Sequence, residues 1–331
     1  MSAANDQGNE AVIGSESPGA VRTDGGPLLE PRQWRQVAFI TLGALAVFTT
    51  MRLLPTGTNL SHMDFRVDAQ NPIETCDPAN PQFIPVVSVP SPVKMTLVGT
   101  VMAHAGTETA VAFRLDTASG KPIAPEDLEI AHTKKLHLMV IDPTLTDYQH
   151  VHPTPGRKEG EWDFTFTPRF GGTYRLFADF TPVATNRSLY ANTDLAVVGP
   201  EPVPAVVAAA KRPAWAFERD GYRFTLEPGS QPVRVRQPED LTFVVTRLDG
   251  GDVPMGPVMG AYAHLVAFDD RRSGFAHLHP KEIDLSQHPD AKRPTLHFKI
   301  TIPGAGRYVI WAQVNLGGTM AFAPFWFDVV E

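Results

Sequence analysis

The sequence contains a single cysteine, Cys76, among its 331 residues. An intramolecular disulfide and a zinc cage built from several cysteines are therefore excluded. Any metal site has to be built from histidine, methionine and carboxylate side chains. Cys76 either bridges two copies of the chain, adds one soft ligand or stays unpaired in a linker, and we leave it out of the predicted site.

The chain also lacks the basic runs that nucleic-acid-binding proteins use. Its 29 basic and 36 acidic residues give a net charge of -7, and no Lys/Arg-rich or aromatic-basic stripe interrupts the sequence. Nucleic acid is therefore not an expected partner of this chain. At 331 residues and 43% hydrophobic content, the chain is long enough for two ordinary domains with real cores.

Long hydrophobic runs are scarce, with one exception near the N-terminus. Residues 1–34 are poor in large apolar groups, and we predict a disordered cytoplasmic tail there. The apolar run that follows, from Val37 to Met51, is shorter than the roughly 20 residues of a typical span, but Trp34 and Leu54 extend it. We therefore predict a transmembrane signal anchor over residues 35–55.

A cleaved signal peptide is the alternative to an anchor. Residues 44–46 have the small-x-small form of a cleavage site, but this site lies inside the apolar run, which favours an uncleaved anchor. Arg32 and Arg35 place the N-terminal side in the cytoplasm. The expected location is the inner (plasma) membrane, crossed once, with the C-terminal domains in the periplasm or outside the cell.

The rest of the composition is typical of an all-β protein. The 31 prolines and 26 glycines are spread through stretches rich in Val, Thr, Phe and Tyr, which suits many short strands joined by turns. We predict a linker over 56–92, a first β-sandwich over 93–199, a second linker over 200–213 and a second β-sandwich over 214–331. Two tandem units of about 100 residues are typical of immunoglobulin-like domains.

One histidine pattern occurs twice without a gap: histidine, twelve residues, histidine, one residue, histidine, proline. Its members are His137, His150, His152 and Pro153 in the first repeat, and His264, His277, His279 and Pro280 in the second. Imidazole is the commonest transition-metal ligand, so three histidines kept in register through a duplication predict a duplicated metal site. The alternative is that they pack a turn.

Strand geometry predicts how the three histidines converge. If residues 143–146 form a four-residue hairpin loop, His137 lies opposite His152, and Met139 lies opposite His150. Side chains alternate along a strand, so the three histidines share one face and Leu138 enters the core from the other. The second repeat gives the same geometry.

A fourth ligand position follows from the same alignment. His132 and Met259 each lie five residues before the first histidine of a repeat, and both suit copper. Their parity is wrong for the strand face, so they must come from a loop or bulge, unless the match is accidental. Asp142 and Asp269 are candidates either for hydrogen bonds to the imidazoles or for ordinary turn positions. His104, His288 and His297 have no counterpart at matching positions and are expected on the surface or in packing roles.

Residues 136–140, followed by residues 148–153, resemble a short His-rich hairpin of secreted or membrane-anchored bacterial proteins associated with heavy-metal handling. The resemblance covers about 22 residues in each repeat and implies metal association in immunoglobulin-like domains, without a settled activity. Leu136 and Ala263 stand where methionine often precedes the first histidine, which removes a possible soft ligand.

The leading hypothesis is a membrane-anchored, extracytoplasmic metal-binding protein for copper buffering, delivery or resistance. The expected ions are Cu(II) or Cu(I), with zinc as the alternative, and the expected partner is a protein of metal handling. Affinity should fall as the pH drops through about 6.5, the histidine range, and loss of His150 and His152 should leave the second site intact.

Two other functions remain open. One is a metal-free immunoglobulin-like interaction module whose histidines are structural or sense pH. The other is a copper oxidase or zinc hydrolase, although neither repeat offers a glutamate near its histidines that is suited to act as a general base.

Overall fold

A computed structural model describes residues 30–53, 60–65 and 81–331. The chain divides into two compact units, one that ends at Pro55 and one that begins at Thr56. Cys76 and most of the predicted cytoplasmic tail lie outside the described residues.

The N-terminal apolar run forms helix α1 (Pro31–Leu53). The helix begins at a proline, whose fixed φ angle suits the first helical position. The 21 residues Pro31–Met51 have the length and composition of a helix that can cross a membrane or serve as a signal sequence. Its large apolar side chains are exposed, among them Phe39 and Ile40.

The second unit consists of two β-sandwiches. The nine strands of the first are β1 (Val93–Leu97), β2 (Ala103–His104), β3 (Thr109–Thr117), β4 (His137–Ile141), β5 (Tyr148–Val151), β6 (Thr154–Pro155), β7 (Glu161–Phe166), β8 (Gly172–Phe180) and β9 (Leu189–Val198). They form one sheet in the order β1-β3-β7-β6 and another in the order β2-β9-β8-β4-β5.

The second sandwich repeats this plan. Its strands are β10 (Ala216–Arg219), β11 (Tyr222–Pro228), β12 (Val233–Arg234), β13 (Pro238–Arg247), β14 (Met255–Gly256), β15 (Ala263–Asp269), β16 (Phe275–Leu278), β17 (Thr295–Thr301), β18 (Gly306–Leu316) and β19 (Thr319–Val330). One sheet has the order β10-β11-β13-β17 and the other β12-β19-β18-β15-β16, with β14 paired to β18.

This strand order is that of an immunoglobulin-like sandwich. Each unit pairs an A-B-E-type sheet with a sheet built around the C, F and G strands. Each F strand also opens on a tyrosine corner: Tyr308 donates to the carbonyl of Gly304 at 3.0 Å, and Tyr174 accepts from the amide of Phe170 at 3.2 Å. The prediction of an all-β chain with two tandem immunoglobulin-like sandwiches after an N-terminal helix is confirmed.

The two sandwiches pack against each other through the sheets that carry β4 and β15. All five residues of β4 are buried: Leu138 and Val140 lie in the core of the first sandwich, whereas Met139 and Ile141 lie in a cluster shared by both sandwiches. We call this shared group the interface cluster. Its largest members are Tyr148, Phe177, Phe268, Phe275, Trp311 and Trp326.

The described parts of the two predicted linkers are structured. A short 3₁₀ helix (His62–Phe65) contributes Phe65 to the first core, and Phe83 lies in the second core. The stretch before the second sandwich contains helix α2 (Pro204–Ala210), where a proline at the first position and an alanine-rich sequence favour the helix. Another 3₁₀ turn covers Pro125–Asp127.

Candidate metal centre

The hairpins that carry the histidines have the predicted register in both repeats. In the first, Met139 pairs with His150, and in the second, Val266 pairs with His277. The inward face of β15 carries Leu265, which lies in the second core as the alternation predicted. The histidines therefore project from the outer face of each sandwich, which is the face that meets the other sandwich.

The two aspartates at the hairpin loops hold those loops. Asp142 accepts hydrogen bonds from the amides of Thr146 at 2.7 Å and Asp147 at 2.9 Å. Asp269 accepts from the amide of Ser273 at 2.6 Å and from its hydroxyl at 2.8 Å. The sequence allowed either hydrogen bonds to the imidazoles or ordinary turn positions for these two aspartates, and the structure shows the turn positions.

Two groups of three histidines each bring one nitrogen per ring within 4.8 Å of the others. We call them the first triad (His137, His150 and His152) and the second triad (His264, His277 and His279). Burial is deep for groups this polar: the exposed fraction is 2% for His137 and 0% for His264. Buried imidazoles are costly unless each ring nitrogen has a partner, so the partners of these nitrogens decide what the triads can do.

Hydrogen bonds fix the tautomers of two rings in the second triad. His264 Nε2 lies 3.0 Å from the carbonyl oxygen of Val258, and His277 Nδ1 lies 3.1 Å from a carboxylate oxygen of Asp179. Both oxygens only accept, so these two nitrogens carry the protons. Burial keeps both rings neutral by lowering their pKa, so His264 Nδ1 and His277 Nε2 present lone pairs.

The first triad has the same arrangement. His137 Nε2 donates to the carbonyl oxygen of Ala131 at 3.0 Å, and His150 Nδ1 donates to Gln313 Oε1 at 2.9 Å. The nitrogens left with lone pairs are His137 Nδ1 and His150 Nε2. They face each other at 3.3 Å, the same separation as between His264 Nδ1 and His277 Nε2.

Two lone pairs that face each other cannot form a hydrogen bond, but they can share a cation. Nitrogen ligands at about 2.0–2.1 Å from a tetrahedral ion lie about 3.3–3.4 Å apart, which matches both pairs. The third histidine of each triad adds a further donor: Nε2 of His152 and Nε2 of His279 are buried, and no hydrogen-bond partner for them exists among the described residues. Each triad therefore fits a transition-metal ion held by three neutral imidazoles.

Each sandwich supplies a polar residue to the triad of the other. Asp179, on β8 of the first sandwich, holds His277, while Gln313, on β18 of the second, holds His150. Such hydrogen bonds orient a metal-binding ring and fix which nitrogen is available to the ion. A carboxylate is the stronger acceptor, so His277 is the more basic ligand of the two.

The sequence analysis missed Asp179 and Gln313, although the sequence contains a signal for them. Each lies five residues after a tyrosine near the start of its strand, Tyr174 or Tyr308, and has an apolar residue on either side. A polar side chain at the same register in both repeats marks a position with a required partner. Recognising that partner required knowledge of the packing between the sandwiches.

The expected fourth ligands, His132 and Met259, occupy equivalent tight turns. Both have left-handed backbone angles, with φ of 49° and 50°, and each is followed by a residue that also has positive φ, as in a two-residue type I′ turn. The loop origin that parity required is thus correct. His132 does not join the ligand nitrogens of its own triad, however, but stacks on the ring of His279 at 3.6 Å.

Matches to known families were found for both sandwiches. A single family profile, described as a domain of unknown function (DUF8832), matches residues 88–197 and again residues 217–331. The chain belongs to the DUF8832 family. A search of curated protein sequences found no match.

Solved structures resemble the DUF8832 chain only at low similarity. They include the Escherichia coli adhesin FdeC, at 17% identity over 72% of this chain and 64% of that chain, with a TM-score of 0.24. A putative membrane-anchored protein from Corynebacterium diphtheriae has 10% identity over 73% of this chain and 59% of that one, with a TM-score of 0.20. The alignment thus covers less than two thirds of the length of either of these two proteins.

His104, His288 and His297 have the surface or packing roles that the sequence predicts. His104 is exposed, His288 shares a hydrogen bond of 2.9 Å with the Tyr262 hydroxyl, and His297 pairs with Glu282 at 2.7 Å. They provide natural controls for substitutions in the triads.

Burial is the main cause of the pKa shifts in the two triads. It lowers the pKa of all six histidines below the usual 6.5, to about 4 for His152 and to about 3 for His264. Burial also raises the pKa of Asp179 to about 6. Protons therefore compete with a metal ion for these imidazoles at a lower pH than the 6.5 expected from the sequence.

We expect the metal-free protein to lose stability as the pH falls from about 6.5 towards 4. The unfolded chain takes up protons on its histidines below about 6.5, whereas the buried rings of the folded chain stay neutral. Each proton that only the unfolded chain binds lowers the free energy of unfolding by about 1.4 kcal/mol per pH unit. Asp179 acts in the opposite direction because its pKa is raised, but it is one group against six.

The measurement is urea unfolding of chelator-treated protein at about pH 7.5 and pH 5.5. With a net difference of only two protons, the free energy of unfolding falls by about 2.7 kcal/mol per pH unit, and the urea midpoint shifts accordingly. A variant with both His104→Gln and His297→Gln should show the same loss. An equal or higher midpoint at the lower pH would contradict the prediction.

Proposed function

We propose that this chain is a membrane-tethered, extracytoplasmic protein that binds transition-metal ions at its two histidine triads. The observation that carries the proposal is the pair of lone-pair nitrogens 3.3 Å apart in each triad, together with a third buried imidazole nitrogen. Without a cation, these nitrogens are buried and unsatisfied, which is unfavourable. With one, every ring nitrogen involved has a partner.

Copper is the preferred ion in this proposal, and zinc is the alternative. Imidazole suits both, and at a site of this composition affinity rises to a maximum at Cu(II). Three protein ligands leave one coordination position for a further group. Met259, which is half-buried in the turn before β15, remains the proposed soft ligand for Cu(I). Buffering or delivery of copper, or resistance to it, is the function that such sites would serve.

The proposed tether is helix α1. The 21 residues Pro31–Met51 have the length and composition of a span, and Arg32 and Arg35 near their N-terminal end favour a cytoplasmic N-terminus. The residues that follow the helix, including both triads, would then lie outside the cytoplasm. A protein partner in metal handling is the further expectation that follows from this location.

Titration with metal tests the proposal. The full chain, purified in detergent and treated with a chelator, should bind two Cu(II) ions, and separately two Zn(II) ions, per chain, as measured by calorimetry and elemental analysis. The reason is that the two triads each supply three neutral imidazoles. Saturation should also raise the unfolding temperature, because ions that bind only the folded state stabilise it.

The matched control is the variant with both His104→Gln and His297→Gln, which removes two histidines outside the triads and should still bind two ions. Less than one ion bound per wild-type chain would overturn the metal hypothesis and favour the metal-free interaction module. Recovery of the chain in the soluble fraction without detergent would overturn the tether.

A further inference from the structure

We propose that the six histidines form one paired-metal centre that spans the interface between the two sandwiches, not two independent sites. This inference rests on the proposed function, since it concerns ions bound at the same triads. Within the triads, the rings of His137 and His150 lie 5.4 Å apart, as do those of His264 and His277. Across the interface, His277 lies 5.4 Å from His137 and 5.3 Å from His150. The ring of His277 is therefore as close to His137 and His150 of the first triad as to His264 of its own triad, whereas His279 lies nearer, at 4.6 Å.

Further contacts bring the triads together at a second point. His150 lies 6.2 Å from His264 of the other triad, and His132 stacks on His279 at 3.6 Å while its ring lies 6.2 Å from His137. His132 thus joins the two triads through ring contacts on both sides. The result is a continuous layer of imidazoles drawn from both sandwiches.

The ring contacts limit the separation between two bound ions. An ion about 2.0–2.1 Å from a ligand nitrogen lies roughly 3 Å from the centre of that ring. Because His150 and His277 are 5.3 Å apart and each would contribute to a different ion, the two ions would be at most roughly 12 Å apart. At such separations, two paramagnetic ions affect each other measurably.

Asp179 reduces the repulsion between the two positive ions. Its carboxylate accepts a hydrogen bond from His277 Nδ1, and on β8 it lies directly opposite His137 of the first triad. One largely buried negative charge therefore contacts one triad and borders the other. Gln313 has the equivalent position opposite His264, but its side chain is neutral. The carboxylate of Asp179 is therefore the one charge at these two positions, and it offsets the positive charge of both ions.

The hydrogen bonds across the interface also make each triad dependent on both sandwiches. His150 is oriented by Gln313, which is 163 positions away, and His277 by Asp179, which is 98 positions away. A metal ion at either triad therefore requires the sandwiches to be docked, and the paired centre would hold them together.

Electron paramagnetic resonance of the copper-loaded full chain tests the proposal. With two equivalents of Cu(II), we expect a broadened spectrum and a half-field signal from interacting spins. The matched reference is the same wild-type protein loaded with one equivalent of Cu(II) and then saturated with Zn(II). If the two triads fill at random, about half of the copper ions in this reference have a diamagnetic neighbour and about a quarter of the chains carry two copper ions. The half-field signal per chain should therefore decrease about fourfold, and the lines should sharpen.

Two outcomes would overturn the paired centre while the proposed function stands. One is two Cu(II) ions bound per chain with a spectrum equal to that of isolated ions. The other is saturation of all six histidines by a single ion. Absence of any bound metal would overturn the proposed function itself, so the two failures are distinguishable. Because both samples contain the wild-type chain, a folding defect of a substituted variant cannot affect the result.

Discussion

Replacement of both His150 and His152 by alanine should reduce the number of tightly bound ions from two per chain to one. The first triad then keeps only His137, and a single imidazole should bind at least about 100-fold more weakly than the intact set. The second triad keeps its three rings and its bond to Asp179. Calorimetric titration with Cu(II) and Zn(II) of the full chain measures both effects.

The sequence predicts that loss of His150 and His152 leaves the second site intact, but the structure places the two triads in contact. The ring of His150 lies 5.3 Å from that of His277, so its removal also alters the surroundings of the second triad. We expect a change of up to about tenfold in the affinity of the remaining ion, not an unchanged site. Two ions bound with unaltered affinity would show that the first triad is not a metal site.

The mirror variant, with both His277 and His279 replaced by alanine, should also bind one ion but should be less stable. It leaves the largely buried carboxylate of Asp179 without its imidazole donor, whereas the first variant leaves only the neutral amide of Gln313 without its partner. An unsatisfied buried group costs about 1–3 kcal/mol, and more if it is charged. Equal urea midpoints for the two variants would contradict this role of Asp179.

The second large effect is expected from Phe268→Ala. Phe268 is fully buried in the interface cluster, where its ring lies 5.5 Å from Tyr148 and 6.0 Å from Phe177 of the other sandwich. Truncation of a buried phenylalanine to alanine costs about 3–5 kcal/mol because it removes apolar contacts and leaves a cavity. The loss falls on the contact between sandwiches, so metal affinity at both triads should decrease together with stability.

Chemical unfolding and metal titration of the same samples check this prediction. Phe268→Leu is the conservative control and should cost less than about 1.5 kcal/mol. Phe113→Ala is the second control: Phe113 is fully buried in the core of the first sandwich alone, so the variant should lose stability without opening the interface. A loss below about 1 kcal/mol for Phe268→Ala, with unchanged metal affinity, would show that the interface does not support the triads.

The sequence by itself determined the features that depend on neighbouring parts of the chain. The ungapped histidine repeat and the alternation of side chains determined the hairpin register, because His137 and His150 are only 13 positions apart and a short loop leaves few ways to pair the strands. The same alternation separated Leu138, which enters the core, from His137. Proline, glycine and β-branched residues determined the all-β class, and the duplication determined the two tandem sandwiches.

Only the tertiary structure decided what covers the histidine face. The apolar residues on both faces of β4 and β15 indicate burial on both sides, but a pattern within one strand does not name the surface that provides it. The partners Asp179 and Gln313 come from the opposite sandwich, and His132 lies against His279 instead of completing its own triad. Such contacts depend on how two finished sheets dock, which is decided by the shape and chemistry of whole surfaces and not by the local periodicity of the chain.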